Sequence, residues 1–234
     1  MNMIEQIKAD LIGADARSII LYIDEKFADK AVFSTSFGIE DQVLTHLLAQ
    51  ENAKTSIFTL DTGRLFPETY YVWNRTLDLY KLKIKAYYPE TKAVEGLLEQ
   101  KGPSSFYNSV EDRKECCYIR KIEPLKRAIA GYQVWITGIR AEQSQNRDQM
   151  DFVEWDEVNQ IIKIHPLYNW TLSEVENYLK DNFVPYNPLH DKGFISIGCQ
   201  PCTRAVQEGE DFRAGRWWWE DKSKKECGLH VTHK

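Results

Sequence analysis

The sequence predicts an α/β fold in which a mostly parallel sheet carries helices on both faces. Short apolar runs rich in β-branched and aromatic residues alternate along the chain with segments of helical periodicity. Each apolar run ends in a polar turn, and ligands of such sheets bind beyond the carboxyl ends of the strands. The 234 residues are enough for one substantial core.

The individual elements follow from local patterns. The first 27 residues place isoleucines and leucines at helical spacing, which predicts N-terminal helices. Three strand–helix pairs follow, namely KAVF with QVLTHLLAQ, TSIFTL with PETYYVWNRTLDLY, and KIKAYY with TKAVEGLLEQ. We then expect a helix over residues 111–130 and a fourth strand at QVWI.

The pattern changes after Asp148. MDFVEWDEVNQIIKIHPL predicts a hairpin, and TLSEVENYLKDN predicts a helix capped by Thr171, with Glu174 completing a capping box. The remainder is too short and too poor in apolar periodicity to fold alone. We therefore expect N-terminal helices over residues 1–30 and a single catalytic domain over 31–234, whose tail begins at about residue 207.

Composition excludes several classes of protein. A net charge of −5 argues against a protein that grips nucleic acid through a basic surface. No run approaches the roughly 18 apolar residues of a membrane span, and the first residues lack the layout of a secretory signal. We expect a cytoplasmic protein that binds neither nucleic acid nor membrane. Disulfide bonds are rare in that compartment, so the five cysteines call for another explanation.

Four of these cysteines have the spacing of a metal site. Cys116 and Cys117 are adjacent, while Cys199 and Cys202 form a Cys-x-x-Cys pair. Four thiolates suit zinc or a 4Fe–4S cluster, and adjacent cysteines fit a cluster more naturally because it offers separate corners. The alternative is a set of buried free cysteines that act as small hydrophobic side chains.

Two polar turns are candidate ligand-binding loops. In STSFGIED, Ser36 and Gly38 lead into a helix whose backbone N–H groups could bind phosphate or sulfate. In LDTGR, Asp61, Thr62 and Gly63 occupy the same position after the second strand. Either turn can also be read as an ordinary connection between a strand and a helix.

Two pairs of arginines are further candidates for binding an anion. Arg140 and Arg147 lie in the loop after the fourth strand, and Arg213 and Arg216 precede three consecutive tryptophans. The planar guanidinium group binds sulfate and phosphate through paired hydrogen bonds, although most arginines are solvated surface charges. The tryptophans favour burial, either in plain packing or against another protein.

The fifth cysteine stands apart near the end of the chain. Cys227 has three lysines just upstream and His230 just after it. Nearby cations lower the pKa of a thiol and so favour its reactive thiolate form. The alternative is an incidental cysteine in a dispensable tail.

Together these motifs resemble a known family. SFGIED, LDTGR, CC followed by IRKIEPLKRA, TGIR, GCQPCTR, GRWWWE and ECGLH occur in the order found in the assimilatory sulfonucleotide reductases. They are most similar to the bacterial iron–sulfur adenosine 5′-phosphosulfate (APS) reductases, from about residue 31 to residue 230. The ECGLH motif and the four-cysteine set are the most specific part of the match.

The resemblance implies the fold of the PP-loop ATP pyrophosphatases, also called adenine nucleotide alpha hydrolase-like. A C-terminal tail would close the active site. The SFGIED turn departs from the ATPase pattern SGGxDS, because Phe37 replaces a glycine and Glu40 replaces the aspartate. This departure suits a protein that binds a nucleotide without cleaving a pyrophosphate.

The resemblance also assigns roles to individual residues. The four paired cysteines would hold one 4Fe–4S cluster per chain, and Lys121 would lie between the cluster and the substrate. Cys227 would be the nucleophile, and His230 would help to hold the phosphosulfate. The substrate would contact Leu60, Gly138, Arg147, Arg213 and Arg216, together with the turn residues Ser36, Gly38, Asp61, Thr62 and Gly63 and with Arg140.

The implied reaction is attack of the Cys227 thiolate on the sulfur of APS, which forms a cysteine S-sulfonate and releases AMP. Thioredoxin, or glutaredoxin, would then reduce the S-sulfonate and free sulfite. The cluster would act electrostatically and structurally rather than as an electron carrier. We also expect a homo-oligomer, in which the first 30 residues could pack between subunits.

Three alternatives remain at this stage. The chain could act on 3′-phosphoadenosine phosphosulfate (PAPS) or on both nucleotides, although enzymes that prefer PAPS generally lack the four cluster cysteines. It could be a PP-loop ATP-dependent ligase or tRNA-thiolating enzyme with an iron–sulfur centre, but the SGGxDS turn and a basic surface are missing. A redox-sensing regulator would need a DNA- or partner-binding element, and the sequence has no helix-turn-helix pattern.

Overall fold

The computed structural model describes residues 2–143 and 150–221. It confirms the predicted α/β class, since its centre is a six-stranded sheet with the strand order β3-β2-β1-β4-β6-β5. β1 pairs in parallel with β2 and β4, β4 pairs in parallel with β6, and β5 joins β6 as the predicted antiparallel hairpin. The strands are β1 (Ala31–Ser34), β2 (Ser56–Leu60), β3 (Ile84–Tyr87), β4 (Val134–Ile136), β5 (Val153–Asp156) and β6 (Ile161–Ile164).

The helix that follows the hairpin begins at the capping residue that the sequence predicts, Thr171. The side chain of Thr171 accepts a hydrogen bond from the backbone N–H of Glu174, and the carboxylate of Glu174 accepts one from the backbone N–H of Thr171. This pair of bonds confirms the predicted capping box. The α-helices are α1 (Met3–Asp10), α2 (Ala16–Phe27), α3 (Ile39–Gln50), α4 (Pro67–Tyr80), α5 (Thr91–Lys101), α6 (Val110–Cys117), α7 (Glu123–Ile129) and α8 (Leu172–Asp181).

The helix predicted over residues 111–130 is interrupted. Between α6 and α7 lies a π-helical turn, Tyr118–Ile122, which carries Arg120 and Lys121. Such turns insert one extra residue into a helical segment and occur frequently at functional sites. The double cysteine is at the end of α6, directly before this turn.

The chain divides into two compact units. The first contains Met1–Thr59, Tyr71–Lys85 and Gly131–Asn187, and the second contains Leu60–Tyr70, Ala86–Ala130 and Pro188–Lys234. Within the described ranges, no helix is both long enough and apolar enough to cross a membrane.

Each unit has its own apolar core. In the first unit, isoleucines and leucines of α1 and α2 pack in one cluster with β1, β4, β6 and α3, so the N-terminal helices are part of that core. In the second unit, the core contains two of the cysteines together with Leu97, Phe106 and Trp217. The cysteine site is therefore built into the interior of its unit.

Candidate active site

In the first unit, the turn after β1 is closed by a carboxylate of its own chain. Oδ2 of Asp41, in the first turn of α3, accepts hydrogen bonds from the backbone N–H of Ser36 at 2.6 Å and from Ser36 Oγ at 2.7 Å. Burial raises the pKa of Asp41 to about 6, although the hydrogen bonds from Ser36 oppose this shift. Gly38, the N-cap of α3, lies between the two residues. The backbone N–H and the hydroxyl of Ser36 therefore both donate to the Asp41 carboxylate of the same turn.

The backbone at Phe37 adopts a conformation that favours glycine, which is the residue at this position of the ATPase pattern SGGxDS. The φ angle of Phe37 is +60°, in the left-handed region that bulky side chains rarely adopt. The side chain is buried and stacks on Trp73 with ring centroids 5.3 Å apart. The aromatic contact offsets the backbone strain, which is of the order of 1–3 kcal/mol.

The loop after β4 packs closely on the same turn. A Cβ atom added to Gly138 would lie 2.5 Å from Oδ1 of Asp41, so only glycine fits without a shift. Arg140 is almost completely buried, and its guanidinium pairs with Glu40 at 2.9 Å and with Glu142 at 2.7 Å. Two carboxylates therefore already hold Arg140, which we predicted as a substrate-binding residue.

In the second unit, the LDTGR loop is tightly ordered by its own side chains. Asp61 directly follows Leu60, the last residue of β2. Its carboxylate accepts hydrogen bonds from the backbone N–H of Gly63 at 2.8 Å and from the Tyr70 hydroxyl at 3.0 Å. Burial, together with Asp61, raises the pKa of Tyr70 to about 12. Gly63 has a φ angle of +69°, which a glycine adopts without strain.

All four predicted metal ligands line one cavity of the second unit. None of them forms a disulfide bond. Besides the four cysteines, three arginines, one lysine and one phenylalanine line this cavity. The lining residues are Arg64, Phe106, Arg113, Cys116, Cys117, Arg120, Lys121, Cys199 and Cys202.

As free thiols, Cys116 and Cys202 are hard to ionise. Burial raises the pKa of Cys116 and raises that of Cys202 to about 12. The neighbouring Cys199 raises the pKa of Cys202 further, whereas Arg216 and Lys121 oppose the shift. Four sulfurs gathered in an apolar interior are best satisfied by a cationic centre that replaces their protons.

Four thiols are a donor set that suits an iron–sulfur cluster or a zinc ion. Across residues 2–143 and 150–221, no group of three or more His, Cys, Asp or Glu side chains could hold a metal ion. A cluster requires each sulfur to meet a different iron, so its ligands need not converge on one point. The four thiols line one cavity, as the ligands of a cluster must, without converging on a single point.

Two contacts that the sequence did not predict connect the LDTGR loop to the cysteine site, one to a cysteine and one to the π-helical turn. Thr62 Oγ1 lies 3.2 Å from Cys199 Sγ, a hydrogen-bond distance for sulfur. The guanidinium of Arg120, in the π-helical turn, donates to the backbone carbonyl of Thr62 at 2.6 Å. The loop thus supports the cysteine site, whereas the sequence indicated only a ligand-binding turn.

The arginine–tryptophan segment lies against the second cysteine pair. The backbone N–H of Trp217 donates to the carbonyl of Cys202 at 3.2 Å, and Arg216 forms a β-bridge with Thr203. Arg216 is 7% exposed, and its Nε has no hydrogen-bond partner among the described residues. Arg213 is half-buried in the turn before it, where its backbone N–H donates to Asp211 at 2.9 Å.

Three predicted site residues lie outside the described part of the chain. They are Arg147, Cys227 and His230. The roles given to them remain predictions from the sequence.

The family profile of the phosphoadenosine phosphosulfate reductase domain matches residues 30–205. The chain therefore belongs to this family, the sulfonucleotide reductases that the motifs indicated.

Among individual proteins, the chain is similar to several that are named adenosine 5′-phosphosulfate reductase. The chain is 50% identical over 202 residues to the adenosine 5′-phosphosulfate reductase of Allochromatium vinosum, covering 86% of this chain and 79% of the relative. It is 51% identical over 201 residues to the enzyme of that name from Neisseria meningitidis, covering 86% and 82%. For the Burkholderia cepacia protein of the same name, the identity is 48% over 204 residues, covering 87% and 82%.

Solved structures confirm the fold. The phosphoadenylyl-sulfate (PAPS) reductase of Candida auris superposes with a TM-score of 0.75 at 26% identity, covering 88% of this chain and 98% of that one. An FMN adenylyltransferase of Candida glabrata gives a TM-score of 0.58 at 17% identity, covering 88% and 68%. This second likeness supports the fold alone.

Proposed function

We propose that this protein reduces APS to sulfite and AMP in sulfate assimilation, with Cys227 as the nucleophile. The observation that carries the proposal is the identity of about 50% to proteins named APS reductase, over 86% of the chain. The cavity lined by four cysteines supports it, because the sequence resemblance assigns those residues to the cluster of the APS-specific enzymes.

The first step transfers a sulfuryl group. The thiolate of Cys227 attacks the sulfur of APS, the bond between that sulfur and the bridging oxygen of AMP breaks, and AMP leaves with the electron pair of that bond. The product is an S-sulfonate on Cys227. Three lysines nearby in sequence favour the thiolate.

Cations are needed because two anions must meet. Arg216 is suited to this task, since it is buried and forms no ion pair within the described residues. Lys121 lines the cysteine cavity, and Arg213 lies three residues before Arg216. We propose that these three side chains neutralise the phosphosulfate oxygens as charge develops on the leaving AMP.

The second step releases sulfite. A thiolate of a dithiol protein attacks Sγ of Cys227, sulfite leaves, and the second thiol of that protein resolves the mixed disulfide. The dithiol supplies both electrons and becomes a disulfide. We propose thioredoxin, or glutaredoxin, as this reductant in the cytoplasm, and a homo-oligomer as the working form.

We propose that Cys116, Cys117, Cys199 and Cys202 hold a 4Fe–4S cluster. A bound cluster would allow these four sulfurs to exist as thiolates, and its ligands would order the wall that carries Lys121. Thr62 would stabilise the thiolate of Cys199 through its hydroxyl, and Arg120 would hold Thr62 in place.

The experiment that tests the mechanism is intact-mass analysis after mixing the protein with APS and no reductant. We expect an adduct of about 80 Da, the mass of SO3, that thioredoxin removes with release of sulfite. Cys227→Ser should abolish both the adduct and sulfite production, because the hydroxyl is a far weaker nucleophile. An unmodified wild-type protein with its iron intact would contradict the mechanism, and AMP in place of APS is the control.

PAPS is the second candidate substrate, favoured by the structural likeness to the Candida auris enzyme. Steady-state kinetics with both nucleotides separates the two. We expect kcat/KM to be higher for APS by at least tenfold. Equal values would make the enzyme one of dual specificity.

A further inference from the structure

A buried ion pair joins the cysteine-bearing helix to the segment before the predicted nucleophile. Nε and Nη2 of Arg113, in α6, donate to the two carboxylate oxygens of Glu220 at 2.9 and 2.8 Å. The side chains are only 1% and 4% exposed. The pair links residues 107 positions apart in the sequence, and both belong to the second unit.

Two guanidinium groups of the second unit lie close to the ring of Trp217. The guanidinium carbon of Arg113 lies 4.5 Å from the ring centroid and that of Arg216 lies 4.8 Å away. Trp217 is fully buried, with a φ angle of +41°. Its backbone bond to Cys202 completes a contact between this segment and the second cysteine pair.

Stability alone is a weak reason for such a pair. Burying two charges costs desolvation free energy that their attraction often only balances, whereas a fixed bidentate geometry specifies one arrangement. Here the arrangement determines where the chain lies at residue 220, beside the cysteine cavity that Arg113 also lines.

We propose that Arg113 and Glu220 are positioning residues that place the nucleophile for sulfuryl transfer. The proposal rests on the proposed function, in which Cys227 attacks APS. Cys227 lies seven residues after Glu220, so its Cα atom cannot be more than about 25 Å from that of Glu220. Fixing Glu220 against α6 reduces the volume that the thiolate can search, and so raises its effective concentration at the substrate.

The test is the single-turnover rate of S-sulfonation, followed by intact mass over a range of APS concentrations. Glu220→Gln keeps the volume of the side chain and removes its charge. We expect the maximal rate to fall about 30- to 100-fold, while the APS concentration that gives half the maximal rate changes less than threefold. The matched control is Glu208→Gln, an exposed glutamate of the same region, which should react as the wild type does.

Two further measurements separate positioning from folding. The iron content per chain and the circular dichroism spectrum of Glu220→Gln should equal those of the wild type. The double variant Arg113→Met/Glu220→Met leaves no unpaired buried charge, so it should fold at least as well as the single variant. S-sulfonation of the double variant should nevertheless stay slow. If Glu220→Gln does not fold, the rate of the double variant is the measurement that tests the positioning role.

The possible failures are distinct. A wild type that forms no adduct on Cys227 overturns the proposed function itself. A wild type that forms the adduct, with Glu220→Gln reacting equally fast, overturns the positioning role alone. A slow variant that has lost iron or APS affinity in proportion to its rate also overturns that role, because the pair would then only support the fold.

Discussion

The carboxylate of Asp41 faces the Ser36 donors in the turn after β1, and burial raises its pKa to about 6. In the unfolded chain, the same group titrates near 3.8. Between these two values the folded state binds a proton that the unfolded state does not. Stability from this group therefore falls as the pH rises through that window, by about 3 kcal/mol in total.

We expect Asp41→Asn to flatten this pH dependence. The amide oxygen can still accept from Ser36, and no charge is buried at neutral pH. Urea unfolding at pH 5 and pH 7 should show a smaller difference in unfolding free energy for the variant than for the wild type. The exposed Asp181→Asn is the control. Equal differences in wild type and Asp41→Asn would contradict the assignment of this pKa.

At the scale of elements, the loop after β2 and the π-helical turn act together on the second cysteine pair. We expect Thr62→Val to weaken retention of iron, because it removes the hydroxyl that lies 3.2 Å from Cys199 Sγ. Outer-shell contacts of this kind change metal affinity by about 10- to 100-fold. The rate at which a chelator removes iron measures the effect.

Thr62→Ser is the matched control for this prediction, because it keeps the hydroxyl and loses only a methyl group. It should retain iron nearly as the wild type does. If the valine and serine variants lost iron at the same rate, the hydroxyl contact would have no role in holding the site.

Elements with strong local patterns were predictable from the sequence. The segment PETYYVWNRTLDLY became α4 with Pro67 as its first residue, and the Thr171 capping box formed as expected. The π-helical turn was not predictable, because Arg120 bonds to a carbonyl 58 residues away. The same holds for Arg113 and Glu220, whose pairing leaves no periodic signal in either segment.

In the candidate site too, features set by local sequence spacing were predictable, whereas contacts between distant segments were not. The four cysteines were recognisable by their spacing and do share one cavity. For Asp61 and Arg140, the sequence predicted substrate-binding residues in loops but gave no sign of their internal partners. The bonds that engage them, to Tyr70 and to Glu40, depend on packing between distant segments.

At the scale of the whole molecule, the two apolar cores differ in their dependence on the cysteines. The core of the second unit contains Cys116 and Cys202, whereas the core of the first contains no cysteine. Replacement of one of these core cysteines should therefore increase local unfolding of the second unit selectively.

We expect Cys202→Ser to increase hydrogen exchange in α6 and α7, while amides of β1, β4 and β6 keep their protection. Hydrogen exchange followed by mass spectrometry measures both sets in one sample. A uniform loss of protection would contradict this prediction, and a conservative Cys→Ser change at position 227 is the control.

The N-terminal helices have a practical consequence. The family profile begins at residue 30, yet Ile7, Ile19, Ile20 and Ile23 of α1 and α2 are buried against the strands that follow. A polypeptide trimmed to the matched residues would leave an apolar face of the sheet open to solvent. Such a fragment should precipitate or self-associate on expression, so the start of the recognisable domain is not the start of the smallest soluble unit.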